Sequence, residues 1–181
     1  MLKKILIPFI ALVVIGLSIA VGVLYKSQPS VAYVNLTKAY NDFEMKKELE
    51  KKLTTVQDFR KKTLDSLELS LNIMSRTLQN FEQSGNKKGI EERMPEFEVR
   101  RQEYFSKQKS FEEDNQAMTN QYTEQIWKQI NQYVKDYGKD KGYTYILGAD
   151  GTGAVMNAEE KHEITDDVIS YINERYKGGV K

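Results

Sequence analysis

The 181-residue sequence has no cysteine and a single histidine. Without cysteine there can be no disulfide, no thiol nucleophile and no thiolate metal site. The absence also suits an oxidising compartment. His162 has Glu160, Glu163, Asp166 and Asp167 close by in sequence, and a lone imidazole in such a loop is expected to be solvated rather than metal-bound. A dominant charge is missing too, because the formal net charge is +1. No basic stripe is interleaved with stacking aromatics, so nucleic acid is not an expected partner. Asp150-Gly151-Thr152-Gly153 has the composition of a phosphate-cradling loop or an aspartyl triplet. A phosphate loop needs a helix directly after it, whereas a strand-like run follows here, so turn chemistry is the reading. No acid–base pair or activated nucleophile is assembled anywhere. The expectation is a protein that is not an enzyme, with no catalytic, cofactor-binding or metal-binding residue and no cofactor.

What the sequence has is a long helical pattern, from about Lys38 to Lys141. Leu49, Leu53, Val56, Leu64, Leu67, Leu71, Met74, Leu78 and Phe81 follow one another at helical intervals. Phe97, Tyr104, Phe111 and Met118 then recur every seven residues, and Tyr122, Ile126, Ile130, Tyr133 and Tyr137 continue the row. Apolar rows sustained at this spacing form a coiled-coil seam. Between them lies the turn-forming run Ser84-Gly85-Asn86-Lys87-Lys88-Gly89, which predicts an antiparallel hairpin. At 1.5 Å per residue each helix should reach on the order of 70 Å. Such an arm buries one stripe per helix and holds no deep pocket.

The predicted seam is imperfect. From Val56 to Leu64 the step is four plus four, a stutter that locally unwinds a supercoil, and Arg60 falls in the core row there. On the second helix Arg101, Gln108 and Asn115 make the other core row polar. Antiparallel pairing about the loop joins residues whose numbers sum to roughly 175, which sets Leu78 against Phe97, Leu71 against Tyr104, Leu64 against Phe111 and Arg60 against Asn115. Glu112 and Asp114 are within reach as partners for the arginine. The polar layer reads either as a tolerated defect in a stalk or as a hinge formed by Arg60 and Asn115. Met94-Pro95 marks either the true start of the second helix or a kink within it.

At the N-terminus, Lys3 and Lys4 precede an uncharged segment of twenty residues, Ile5 to Leu24. That length matches a bilayer core, and the flanking lysines hold this end in the cytoplasm and send the rest outward. The reading is an uncleaved anchor in the inner membrane through residues 5–24. The alternative is a signal segment cleaved after Ala20 or Gly22. With Lys3, Lys4 and Lys26 set aside, the remainder is slightly acidic.

Four parts follow: 1–26 as anchor or signal segment, 27–37 as linker and first strand, 38–141 as the arm, and 142–181 as strands and a final helix. Val31 to Leu36 is the first strand, with Asn35 or Thr37 as cap of the first helix. Tyr143 to Gly148 and Ala154 to Asn157 are two more, joined at the hairpin signal Asp150-Gly151. Thr165 is expected to cap the last helix, which turns Val168, Ile169 and Ile172 inward. Trp127 and Tyr122, Tyr133 and Tyr137 are expected to pack the base of the arm. The fold class is α+β, mainly α: a long helical-hairpin arm on a small β-body. A body so small is marginal alone, so self-association is expected, through Val31, Tyr33, Leu36, Tyr145, Leu147 and Val155.

Val31-Ala32-Tyr33-Val34-Asn35-Leu36, Tyr143-Thr144-Tyr145-Ile146-Leu147-Gly148-Ala149-Asp150 and Ile164-Thr165-Asp166-Asp167-Val168-Ile169 resemble the opening strand, the second strand and the final helix of the Skp/OmpH family of periplasmic chaperones. The order of elements over about residues 31–177 is similar as well. The resemblance implies a homotrimer whose three arms surround a cavity and hold unfolded outer-membrane proteins without ATP. Two features depart from it, the near-neutral charge and the apparent inner-membrane anchor. They leave a rival of another class, a membrane-anchored coiled-coil scaffold or adaptor of an envelope complex.

Overall fold

A computed structural model describes residues 14–18 and 29–178. Residues 14–18 are helical, while the rest of the expected membrane segment lies outside the described residues. Among the described residues no helix is long and apolar enough to cross a membrane.

Strand β1 (Val31–Asn35) alternates, with Ala32 and Val34 buried and Val31 and Asn35 exposed. Asn35 then caps helix α1 (Leu36–Asp42), its side-chain oxygen accepting from Lys38 N at 2.9 Å. The single first helix expected from Lys38 is interrupted. Phe43 adopts an extended backbone (φ −73°, ψ 124°), and helix α2 runs only from Glu44 to Gln83. The break drives the fully buried Phe43 ring between Tyr133 and Tyr176. Asn173 makes good the lost backbone hydrogen bonds: its Oδ1 accepts from Glu44 N at 2.8 Å, and its Nδ2 donates to Asp42 O at 3.1 Å. A helix interrupted in the core needs such partners for its free groups.

The 40 residues of α2 and the 55 of helix α3 (Lys87–Lys141) correspond to about 60 and 80 Å. The turn between them is three residues, Ser84 to Asn86, rather than the expected six. Gly85 takes φ +69°, and Asn86 N donates to Phe81 O while Gly85 N donates to Glu82 O. This is the paired bonding that closes a helix on a left-handed glycine. Asn86 also caps α3 by accepting from Gly89 N at 3.0 Å, so Lys87, Lys88 and Gly89 are already helical. A Cβ on Gly89 would lie 2.9 Å from the Phe81 ring, which explains a glycine inside the first turn. Pro95 sits within α3 and does not start it.

Strand β2 (Tyr145–Ala149) returns beside β1 in parallel register, Val31 opposite Tyr145 and Tyr33 opposite Leu147. Parallel strands need a long crossover, and here the arm is that crossover. The expected third strand, Ala154 to Asn157, is absent: residues 151–156 form bends, Val155 is half-buried and Met156 is 91% exposed. The other edge of β1 is already occupied, because Ile164 N donates to Tyr33 O at 3.0 Å. Asp150-Gly151 is a local turn and not a hairpin, with Asp150 Oδ1 accepting from Thr152 N at 2.9 Å.

Helix α4 (Thr165–Tyr176) closes the chain, with Val168 and Ile172 fully buried and Ile169 packed beside them. Thr165 is not its cap. The buried hydroxyl instead accepts from Asn35 N at 2.9 Å and donates to Glu163 at 2.8 Å, tying β1 to α4. The core lies at the root of the arm, where Phe43, Ile126, Ile130, Val168 and Ile172 meet. The protein is mainly α, a two-helix arm on a small strand pair.

Candidate functional site

Two surfaces follow from this architecture, the arm and the outer face of the strand pair. On the arm, Arg60 of α2 meets Asn115 of α3. Its Nη1 donates to Asn115 Oδ1 and its Nη2 to Asp114 Oδ2 at 3.2 Å. Its guanidinium carbon lies 5.5 Å from the Phe111 ring centroid, and the side chain is 15% exposed. A nearly buried guanidinium is tolerated only with such partners. The other two polar residues expected in the core row, Arg101 and Gln108, are exposed. Arg101 pairs with Glu98 of its own helix at 2.8 Å. Beside the Arg60 layer lies an open groove of about 460 Å³, lined by Arg60, Leu64, Tyr104, Gln108, Phe111 and Asn115 among others.

Toward the tip a second groove, about 360 Å³, has Ile73, Met74, Leu78 and Phe81 on its α2 side and Arg93 and Arg100 on its α3 side. Phe59, Leu69 and Ile73 of α2 and Val99 and Phe105 of α3 stand 58–70% exposed. The charges of α3 pair within their own helix, for example Arg93–Glu96 at 3.3 Å and Arg100–Glu103 at 3.2 Å.

On the strand pair, the register brings Val31, Tyr33, Tyr145 and Leu147 to one outward face. Tyr145 is 58% and Leu147 45% exposed. Leu36 does not join them. It packs on Gly148, where a Cβ would lie 2.5 Å from its Cδ1. Val155 also stays outside the pair.

The root of the arm is held by residues that sequence reasoning missed. Tyr176 OH donates to Glu48 Oε2 at 2.7 Å, a bond that, with burial, pushes the phenol up to about 12. Tyr171 OH donates to Asp140 at 2.7 Å and Arg175 Nη2 does so at 3.1 Å. The tyrosine hydrogen bond, then Arg175, holds the Asp140 carboxyl below its ordinary range. Trp127 stacks on Tyr40 at 5.0 Å, and Tyr133 and Tyr137 pack at the base of the arm. His162 lies exposed in a 3-10 turn. Among the described residues no three acidic or histidine side chains gather to hold a metal.

The chain matches the family described as "Outer membrane protein (OmpH-like)" over residues 30–172. It is 22% identical over 161 residues to the chaperone protein Skp of Pectobacterium atrosepticum, covering 87% of this chain and 94% of that protein. Its fold is similar to the crystal structure of an OmpH-like protein from Caulobacter crescentus. The TM-score is 0.70 at 15% identity, covering 82% of this chain and 86% of the other.

Proposed function

The chain belongs to the OmpH-like outer membrane protein family, and we propose that it is an ATP-independent holdase for unfolded outer-membrane proteins in the periplasm. Clients are captured between the arms of a homotrimer. The observation that carries this reading is the arm, two helices of about 60 and 80 Å with Phe59, Leu69, Ile73, Met94, Val99 and Phe105 exposed over its outer part. Sustained exposed apolar surface marks interaction with something apolar. A relative over nearly the whole chain is named a chaperone, which supports the same conclusion. The test is whether the purified protein keeps a urea-unfolded outer-membrane β-barrel soluble on dilution.

In this reading the outward face of Val31, Tyr33, Tyr145 and Leu147 is the assembly surface. The bends at 151–156 become ordered there against a neighbouring copy, which would reconcile the strand-like sequence of Ala154 to Asn157 with its lack of a partner inside one chain. The layer of Arg60 and Asn115 is a hinge that lets the arms adjust to clients of different size. The hydrogen-bonded polar layer in the seam supports this over a continuous scaffolding rod. The uncharged run from Ile5 to Leu24 tethers the trimer to the inner membrane.

A further inference from the structure

The break between α1 and α2 is not written into the residues around it. From Leu36 to Leu49 there is neither proline nor glycine, the residues that ordinarily end or bend a helix. Phe43 has a helix-like φ of −73° and departs from the helix only in ψ, at 124°. A helix needs ψ near −42°. One torsion, turned by about 166°, therefore separates the bent root from a single helix running out of β1. Phe43 offers α2 no side-chain cap. What holds the bend comes from elsewhere in the chain.

Asn173 of α4 supplies it. Its side-chain oxygen accepts from Glu44 N at 2.8 Å and its nitrogen donates to Asp42 O at 3.1 Å, both part-buried. In an unbroken helix the same two groups would be satisfied one turn away, Glu44 N by Tyr40 O and Asp42 O by Lys46 N. The amide thus stands in for a helical bond on each side of the break. Without it the bent root would leave a donor and an acceptor unpaired away from water, which favours the merged helix. The Phe43 ring, buried against Tyr133 and Tyr176, works in the same direction as Asn173. Tyr176 bonds Glu48 beyond the break, so it fastens α4 to α2 without touching the backbone groups that the break frees.

We propose that Asn173 is a positioning residue: it keeps α1 and α2 apart and so sets the direction in which the arm leaves the strand pair. β1 passes into α1 with no residue between them, and the bonds of Asn35 to Lys38 and Thr165 fix that corner. The angle at Phe43 then orients α2 against the face of Val31 and Tyr33. A few residues at an element's end commonly carry such an angle for a whole moving part. Arms that enclose a client must leave their bodies at one angle, so the inference rests on the holdase reading and adds the residue that fixes that angle.

The test uses the full-length protein with Thr37→Cys and Asp58→Cys carrying spin labels, since both positions are exposed and the chain has no other cysteine. Labelled chains are diluted into unlabelled protein, so that only distances within one chain are read. In a merged helix the two positions lie about 32 Å apart along one axis, and a bend at Phe43 brings them closer. The parent should show the shorter distance alone, and Asn173→Leu should add a population at the longer one. Asn173→Asp keeps the acceptor for Glu44 N and loses the donor, so it should add a smaller one, and it carries the test if Asn173→Leu does not fold. Tyr176→Phe weakens the root without freeing the break and should keep the parent distance. The amount of protein needed to keep a urea-unfolded outer-membrane β-barrel soluble should rise with the long-distance population. An unchanged distance in both Asn173 variants, or an equal change in Tyr176→Phe, overturns the proposal. A longer distance with undiminished protection of the barrel overturns arm direction as a part of capture. A parent that protects no client, with the distance shift present, overturns the holdase reading and leaves Asn173 as the residue that sets the bend.

Discussion

Arg60 and Asn115, 55 residues apart in sequence, are hydrogen-bonded across the seam of the arm, guanidinium Nη1 to side-chain oxygen. Together with Asp114 they place one charged, hydrogen-bonded layer in an otherwise apolar row. Helix pairs open locally where apolar contacts are few, so amides around residues 56–64 and 111–118 should exchange faster than those on either side. Replacing Arg60 and Asn115 together by leucine should raise arm stability by about 1 kcal/mol or more, because a matched apolar pair avoids burying a charge. It should also narrow the range of client sizes held. Uniform protection along the parent arm in hydrogen exchange would rule the hinge out.

Tyr176 and Glu48 clasp the root of the arm. The phenol is raised from 10.0 to about 12 in the folded protein. Its contribution to stability is therefore fully present below pH 10 and is lost as pH climbs through about 12. Tyr176→Phe should cost about 1 kcal/mol near neutral pH. The gap between parent and variant in urea unfolding should shrink across that alkaline window. A gap that stays constant to the top of the window would contradict a raised phenol in the folded protein.

The hydrophobic period was enough to identify the hairpin and to set Arg60 against Asn115, because a seam repeats and a repeat survives without tertiary knowledge. The break at Phe43 was not legible. Its backbone partners come from Asn173, 129 residues downstream for Glu44 N, and nothing local signals that help. The same holds for Thr165, whose hydroxyl serves Asn35 rather than its own helix. The strand expected at Ala154 to Asn157 does not form: strand-like composition alone does not make a strand, and residues 151–156 stay as bends although the outer edge of β2 is unpaired. Arg101 and Gln108 were assigned to a core row by the heptad count, which assumes an unbroken 3.5-residue repeat, while a helix returns every 3.6. Of the residues expected at an assembly face, Val31, Tyr33, Tyr145 and Leu147 share one side of the strand pair, whereas Leu36 covers Gly148.

Assembly has its own test. Light scattering of the detergent-solubilised protein should give about three protomer masses, the number that the proposed homotrimer requires. Leu147→Asp with Tyr145→Ser should shift it to monomer. A parent that stays monomeric at micromolar concentration contradicts the trimer.

The tether is checked by intact mass. Protein extracted from its native membrane should retain Ile5 to Leu24, whose length suits a bilayer. A mature chain that begins at Val21 or Val23 would show a cleaved signal instead.

The most direct measurement is light scattering of a urea-unfolded outer-membrane β-barrel diluted into buffer without nucleotide, with increasing amounts of this protein present. A holdase that encloses one client per trimer predicts that scattering falls to baseline near three chains per client, a ratio of roughly three. It also predicts that added ATP changes nothing. Undiminished aggregation at about tenfold excess of a correctly folded protein would contradict the account.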